Sequence, residues 1–196
     1  LNRVAEDGMR VRASAGSDSY RRRETLEQLL VEAQQQVQRL KQELEQDPGT
    51  ISARQRAARE RAAREREQRL QQALVQRERV AAHREARKKG SGEEARASTT
   101  DPEAPRMKMG DGGTRPAFNV QFSTDTESLV ISGVIVTNVG SDAGGMSPMV
   151  QQHVDRYGKA PAELLTDGGF STIHHIETVE NQYSTTVYTP VKEEGK

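Results

Sequence analysis

Between residues 17 and 89 the only glycine or proline residues are the adjacent Pro48 and Gly49. Both residue types break helices, so breakers confined to one point predict two helices joined by one turn. The first helix is expected from about Tyr20 to Gln46. Its apolar positions, Leu26, Leu30, Ala33, Val37, Leu40 and Leu44, recur at alternating spacings of four and three, a heptad seam. The second is expected from about Ser52 to Lys89, ending before Gly90, with smaller seam residues: Ala58, Ala62, Ala63, Leu70, Ala73, Leu74, Val80 and Ala81. Small side chains permit close approach, so the pair predicts an antiparallel helical hairpin. Two helices bury little by themselves. The hairpin must therefore lean on a main domain or pair with a second copy.

The formal charge of zero is a cancellation. Residues 1–100 hold 22 basic and 16 acidic side chains, and residues 101–196 hold 7 and 13. The aromatics divide as sharply: only Tyr20 lies in the first part, while Phe118, Phe122, Tyr157, Phe170, Tyr183 and Tyr188 lie in the second. Large apolar side chains supply most core burial, so the compact domain is expected from about Arg115 to Val191. The stretch from Arg54 to Arg69 is nearly all Arg, Glu, Ala and Gln, with pairs such as Arg56/Glu60 and Arg61/Glu65 four apart on one helix face. It reads as a solvated, self-paired face. The alternative is phosphate contact, with Arg54, Arg56, Arg59 and Arg61 as candidate DNA ligands. The absence of cysteine excludes disulfides and thiolate zinc sites. No apolar run reaches the roughly 20 residues of a membrane span, and the first residues show no signal-peptide core.

Residues 90–114, rich in Gly, Ser, Thr, Pro and charge, read as a linker, and residues 1–19 as a connecting segment. From Ala117 the chain alternates: Phe118, Val120 and Phe122 point one way, and Asn119, Gln121, Ser123 and Asp125 the other. Leu129–Thr137 is a second strand, with Gly133 marking a bulge or a break. A loop through Gly140-Ser141-Asp142 leads to a helix with Pro148 in its first turn, ended by Gly158. Glu163–Asp167 is a short strand ending in Asp; Ser171 is expected to cap a helix to about Asn181, and Thr185–Thr189 is a last strand. The order implies a mixed α/β sheet with Asp125 and Asp167 at strand ends. Two such carboxylates suit a hard divalent cation, Mg²⁺ or Mn²⁺, although Asp is also common in turns. Asn119 and Gln121 share the face of Asp125, to order water or phosphate or to satisfy the sheet. Asp142 reads as a helix cap, with a metal role as the alternative. Neighbouring His174 and His175 diverge by about 100° on a helix, and His83 and His153 lack partners at ligand spacing.

Five segments in order resemble the DDE transposases of bacterial insertion sequences: the opening Glu6-Asp7-Gly8-Met9-Arg10-Val11-Arg12-Ala13-Ser14-Ala15-Gly16, then Phe118-Asn119-Val120-Gln121, Thr124-Asp125-Thr126-Glu127-Ser128, Thr137-Asn138-Val139-Gly140-Ser141-Asp142 and Thr166-Asp167-Gly168-Gly169-Phe170. Arg56-Ala57-Ala58-Arg59-Glu60-Arg61 also looks like the subgroup that carries a coiled helical insert before the catalytic strand. The resemblance implies a partial ribonuclease H-like domain over 115–196, preceded by the hairpin at 20–89. It implies Asp125 and Asp167 as catalytic metal ligands, Mg²⁺ or Mn²⁺ as cofactor, transposon ends and target DNA as partners, a homo-oligomer, and a bacterial cytoplasmic location. The implied reaction is metal-dependent strand cleavage and strand transfer, in which two metals activate the attacking oxygen and stabilise the leaving one. The family's third carboxylate, a Glu on a later helix, is expected beyond Lys196, since Glu193 and Glu194 lie too near the last strand. The family's amino-terminal DNA-binding region is also missing, so the chain is expected to be cut at both ends and inactive alone. Two rival readings are a non-catalytic helical scaffold and a truncated regulatory remnant that associates with full-length transposase.

Overall fold

The computed structural model describes residues 1–46 and 52–190, with side chains through Glu43 and again from Ser52. The Pro48-Gly49 turn, the side chain of Leu44, and Glu193 and Glu194 lie outside the described residues. The chain forms two compact units: Ala13–Arg106, and a second assembled from Leu1–Arg12 with Met107–Lys196.

The first unit is built on the hairpin. After β1 (Arg3–Arg12) and the short β2 (Tyr20–Arg21), α1 spans Arg23–Gln46 and α2 spans Ala53–Arg87. Ser52 caps α2 with a capping box: its hydroxyl accepts from the Gln55 N–H while the Gln55 side chain returns to the Ser52 N–H. Arg23 reaches Glu78 and Arg66 reaches Gln36, so rising numbers on α1 meet falling numbers on α2, and the helices are antiparallel. The seam packs Leu26, Ala33, Leu70 and Ala73 with Ala97 of β3 (Ala97–Ser98), which pairs with β2. Ala58 and Ala62 stay exposed, and Arg77 takes an interior position instead, donating to the Gly92 carbonyl at 3.3 Å. The expected linker is thus partly structured: it supplies β3 and then β4 (Arg106–Lys108).

The second unit is mixed α/β. Its strands are β1, β4, β5 (Thr114–Asp125), β6 (Ile131–Thr137), β7 (Glu163–Thr166) and β8 (Thr186–Tyr188), with α3 (Met146–Tyr157) after β6 and α4 (Ile173–Tyr183) after β7. Strand order is β4-β5-β1-β7-β8, and β6 also pairs with β5. β5 and β6 run antiparallel, as expected, while β1 and β7 are parallel, as are β7 and β8. The segment expected to be a mere connector is the central strand: β1 is antiparallel to β5 from Val4↔Asp125 to Arg12↔Ala117 and parallel to β7 from Arg3↔Glu163 to Glu6↔Thr166. The hairpin is therefore inserted after the first strand of this unit, not placed before it.

Val4 of β1 packs with Met146, Val150, Leu164, Phe170 and Val179. On β5 the polar set Asn119, Gln121 and Ser123 is the buried face, while Phe118, Val120 and Phe122 are half-buried. The pairing of β5 with β6 slips between Ser123 and Thr124, opposite Gly133. A Cβ on Gly133 would stand 2.6 Å from Met149 Sδ, so glycine there lets α3 close on the sheet. Helix α3 also covers β6: Gln152 accepts the Val134 N–H at 2.9 Å and donates to the Val134 carbonyl at 3.0 Å. Thr172, not Ser171, takes the N-cap position of α4, and its side chain makes no cap bond.

Candidate functional site

Strand alternation puts Val4, Glu6 and Gly8 on the face of β1 that meets the core. Through the register, Asn119, Gln121 and Ser123 share it, opposite Arg10, Gly8 and Glu6. Gly8 leaves a gap that the loop between β6 and α3 fills. A Cβ on Gly8 would collide with the Asp142 carboxylate and stand 3.4 Å from Asn119 Oδ1. Asn119 donates to Asp142 Oδ1 at 2.7 Å and Gln121 to the Asp142 carbonyl at 3.4 Å. Arg10 donates to the Gly140 carbonyl at 2.6 Å, tying down the same loop. Asp142 therefore does not cap α3. Gly145 takes the N-cap position, and Asp142 points onto the sheet.

Asp167 follows β7 and accepts the Gly169 N–H at 2.7 Å. A Cβ on Gly169 would lie 2.9 Å from Asp167 Oδ1 and 3.3 Å from Asp142 Oδ2, so glycine there keeps both carboxylates close to one point. Glu6 is level with Thr166, the last residue of β7, so Asp7 continues β1 past the strand end from which Asp167 follows.

Glu6 is only 2% exposed, and neither of its carboxylate oxygens has a partner. Its pKa is pushed up to about 8, first by burial and second by the nearby Asp142. Asn119 Oδ1, Gln121 Oε1 and Thr166 Oγ1 are likewise buried without partners. Native structures rarely leave such groups unpaired; the hydrogen-bond donors at hand are the Thr166 hydroxyl and the proton that a raised pKa keeps on Glu6. The candidate metal-ligand atoms are all oxygen, the chemistry that holds Mg²⁺ or Mn²⁺. Among the described residues no three His, Asp or Glu side chains are arranged to hold a metal ion.

Asp125 lies elsewhere. It is level with Val4 on β5, on the opposite side of β1 from β7. Two strand spacings across and three residues along separate it from Asp167 by about 14 Å, too far for ligands of metals about 4 Å apart. Ser128 engages it through its hydroxyl at 2.6 Å and its N–H at 2.9 Å, and these bonds hold the carboxyl below its usual range. Asp125 closes a turn. Asn119 and Gln121 face Asp142 instead, and Asp167 joins that neighbourhood without Asp125.

Arg54, Arg59 and Arg61 are exposed on the first turns of α2, and Arg56 is half-buried. Seven residues separate Arg54 from Arg61 and three separate Arg56 from Arg59, so the four divide between two helix faces. His153 is buried with Nε2 3.0 Å from Ser132 Oγ, and burial lowers its pKa. His174 and His175 sit ring to ring at 5.5 Å. The approach of Asp142 to Gly8 and Asn119 escapes sequence reasoning. The one local signal is Glu6-Asp7-Gly8 between the apolar Val4 and the Met9/Val11 pair, an alternation obscured by charge. No protein-family model and no curated protein matches the chain. Among the described residues no helix is long and apolar enough to cross a membrane.

Proposed function

We propose that the chain carries a ribonuclease H-like core of an insertion-sequence transposase, acting on DNA by metal-dependent strand cleavage and strand transfer. The observation that carries this reading is the parallel register of β1 and β7 up to Glu6↔Thr166, after which Asp7 and Asp167 are the next residues of the two chains. The resemblance places the first catalytic carboxylate on the first strand. That strand is β1, so Asp7 replaces Asp125 in the role. Asp7 and Asp167 would hold Mg²⁺ or Mn²⁺, which when bound activates the attacking oxygen and stabilises the leaving one. The acidic pair repels phosphate, which makes DNA affinity depend on the metal. The hairpin contributes association with further copies, and the arginines of α2 contribute phosphate contacts.

The test is fluorescence anisotropy of duplex DNA with the full chain, with and without Mn²⁺. Affinity is expected to rise with Mn²⁺, and that rise to shrink at least tenfold in Asp7→Asn and in Asp167→Asn but not in Asp125→Asn. Binding indifferent to Mn²⁺ overturns the reading and favours a scaffold or regulatory remnant, in which association alone is the function.

A further inference from the structure

We propose that the first unit carries a phosphate-binding cleft lined by Arg22, Arg84, Arg96 and Arg106. The cleft goes beyond the strand-cleavage reading and does not depend on it.

The cleft lies wholly within Ala13–Arg106 and has a volume of about 420 Å³, inside the roughly 300–1,000 Å³ of small-ligand sites. Its walls come from the junction of β2 with α1, from the later turns of α2, and from the chain between Glu94 and Arg106. Strand pairing brings two of the arginines there. β2 and β3 run antiparallel with Tyr20↔Ser98 and Arg21↔Ala97, and the next residues along the two chains are Arg22 and Arg96. The Tyr20 hydroxyl donates to the Ala104 carbonyl, which fastens the chain before β4 to β2. Burial first, and Asp101 second, push that hydroxyl up to about 12 against the opposing charge of Arg106, so Arg106 stands near it.

Elsewhere the chain matches arginines with carboxylates, as in Arg3 with Glu163, Arg64 with Glu60 and Arg115 with Asp111. In the cleft Arg84 has such a partner, Glu94 at 3.1 Å. Among the described residues no carboxylate lies within ion-pair distance of Arg22, Arg96 or Arg106. Four guanidinium groups thus share the lining with one carboxylate, and like charges gathered at one cleft repel until an anion joins them. Arg22, Arg96 and Arg106 are exposed and Arg84 is half-buried, so their charged ends are accessible to a ligand from solvent. A carboxylate carries one charge and fills one guanidinium fork. A phosphate group carries up to roughly two charges and about three acceptor oxygens, enough to engage several forks together. The charge left over in the cleft therefore selects phosphate.

The experiment is calorimetric titration of the full chain with pyrophosphate, at constant ionic strength and with excess chelator. Wild type is expected to bind, and affinity to fall by about tenfold or more in Arg22→Gln and in Arg96→Gln. Arg39→Gln, which removes an exposed arginine of α1 outside the cleft, is expected to keep the wild-type value. Circular dichroism establishes that each variant folds, and Arg106→Gln serves in place of either that does not. A folded cleft variant with wild-type affinity overturns the proposal. So does wild type that binds no pyrophosphate at millimolar concentration, or that binds succinate equally well. Duplex DNA added to the loaded protein separates two sources of the group: displacement of pyrophosphate assigns the cleft to a nucleic-acid backbone, and retention assigns it to a small phosphate compound. With chelator present, the outcome is independent of any DNA binding that requires Mn²⁺.

Discussion

Replacing Glu6 by Gln in chelator-treated protein should change how stability responds to pH. Glu6 has an ordinary carboxyl pKa of 4.5 in the unfolded chain and about 8 in the fold. The fold therefore favours the protonated form. Its contribution is complete below pH 4.5, declines as pH rises, and is gone above about 8, where burying the charge opposes folding. One group with that displacement costs roughly 1.4 kcal/mol per pH unit across the window, on the order of 5 kcal/mol in all. Gln has the same shape, does not titrate, and offers an amide N–H₂ to the acceptors around it. Urea unfolding at pH 5, 6, 7 and 8, followed by tyrosine fluorescence, reports on this unit because Tyr157, Tyr183 and Tyr188 belong to it. Wild type should lose stability steadily across the series while Glu6→Gln stays level, so that the variant is the more stable protein at pH 8. Parallel curves would refute the reasoning, since they require Glu6 to be ionised or solvated in the native state.

Leu26→Ala should cost about 2–5 kcal/mol, measured as hairpin unfolding at 222 nm, because Leu26 is fully buried in the seam between α1 and α2. Gly133→Ala should cost about 1–3 kcal/mol by urea unfolding, since its methyl group meets Met149 Sδ, itself fully buried under the sheet. Leu129 has φ of 60° and is 76% exposed, so it pays for a left-handed turn with little burial in return. Leu129→Gly should raise stability by about 1 kcal/mol, read as a higher thermal midpoint.

Local signals were legible where the physics is local. Breakers at Pro48-Gly49 and the alternating apolar spacing put α1 and α2 within a few residues of their observed ends, and Ser52 and Gly158 mark real termini. Alternation from Ala117 correctly divided β5 into two faces. The same alternation could not say which face is buried. The polar face is, because α3 and the loop carrying Asp142 cover it and supply partners to Asn119 and Gln121. Asp167 was legible as a strand end followed by glycines. Asp125 was equally so, and only the register shows that it closes a turn with Ser128 on the wrong side of β1.

By itself the sequence determined the helical hairpin, the order of strands and helices after residue 114, and the concentration of aromatics in one unit, because each depends on neighbours within a few turns or strand steps. The tertiary structure alone decided that β1 is the central strand, since its partners lie more than a hundred residues away across the inserted hairpin and its own pattern is masked by Glu6, Asp7 and flanking arginines. It also decided that Asp142 comes down on the sheet at Gly8, beside Asn119. Gly8 makes room for that contact, but a glycine in a sequence does not say what will fill the space it leaves.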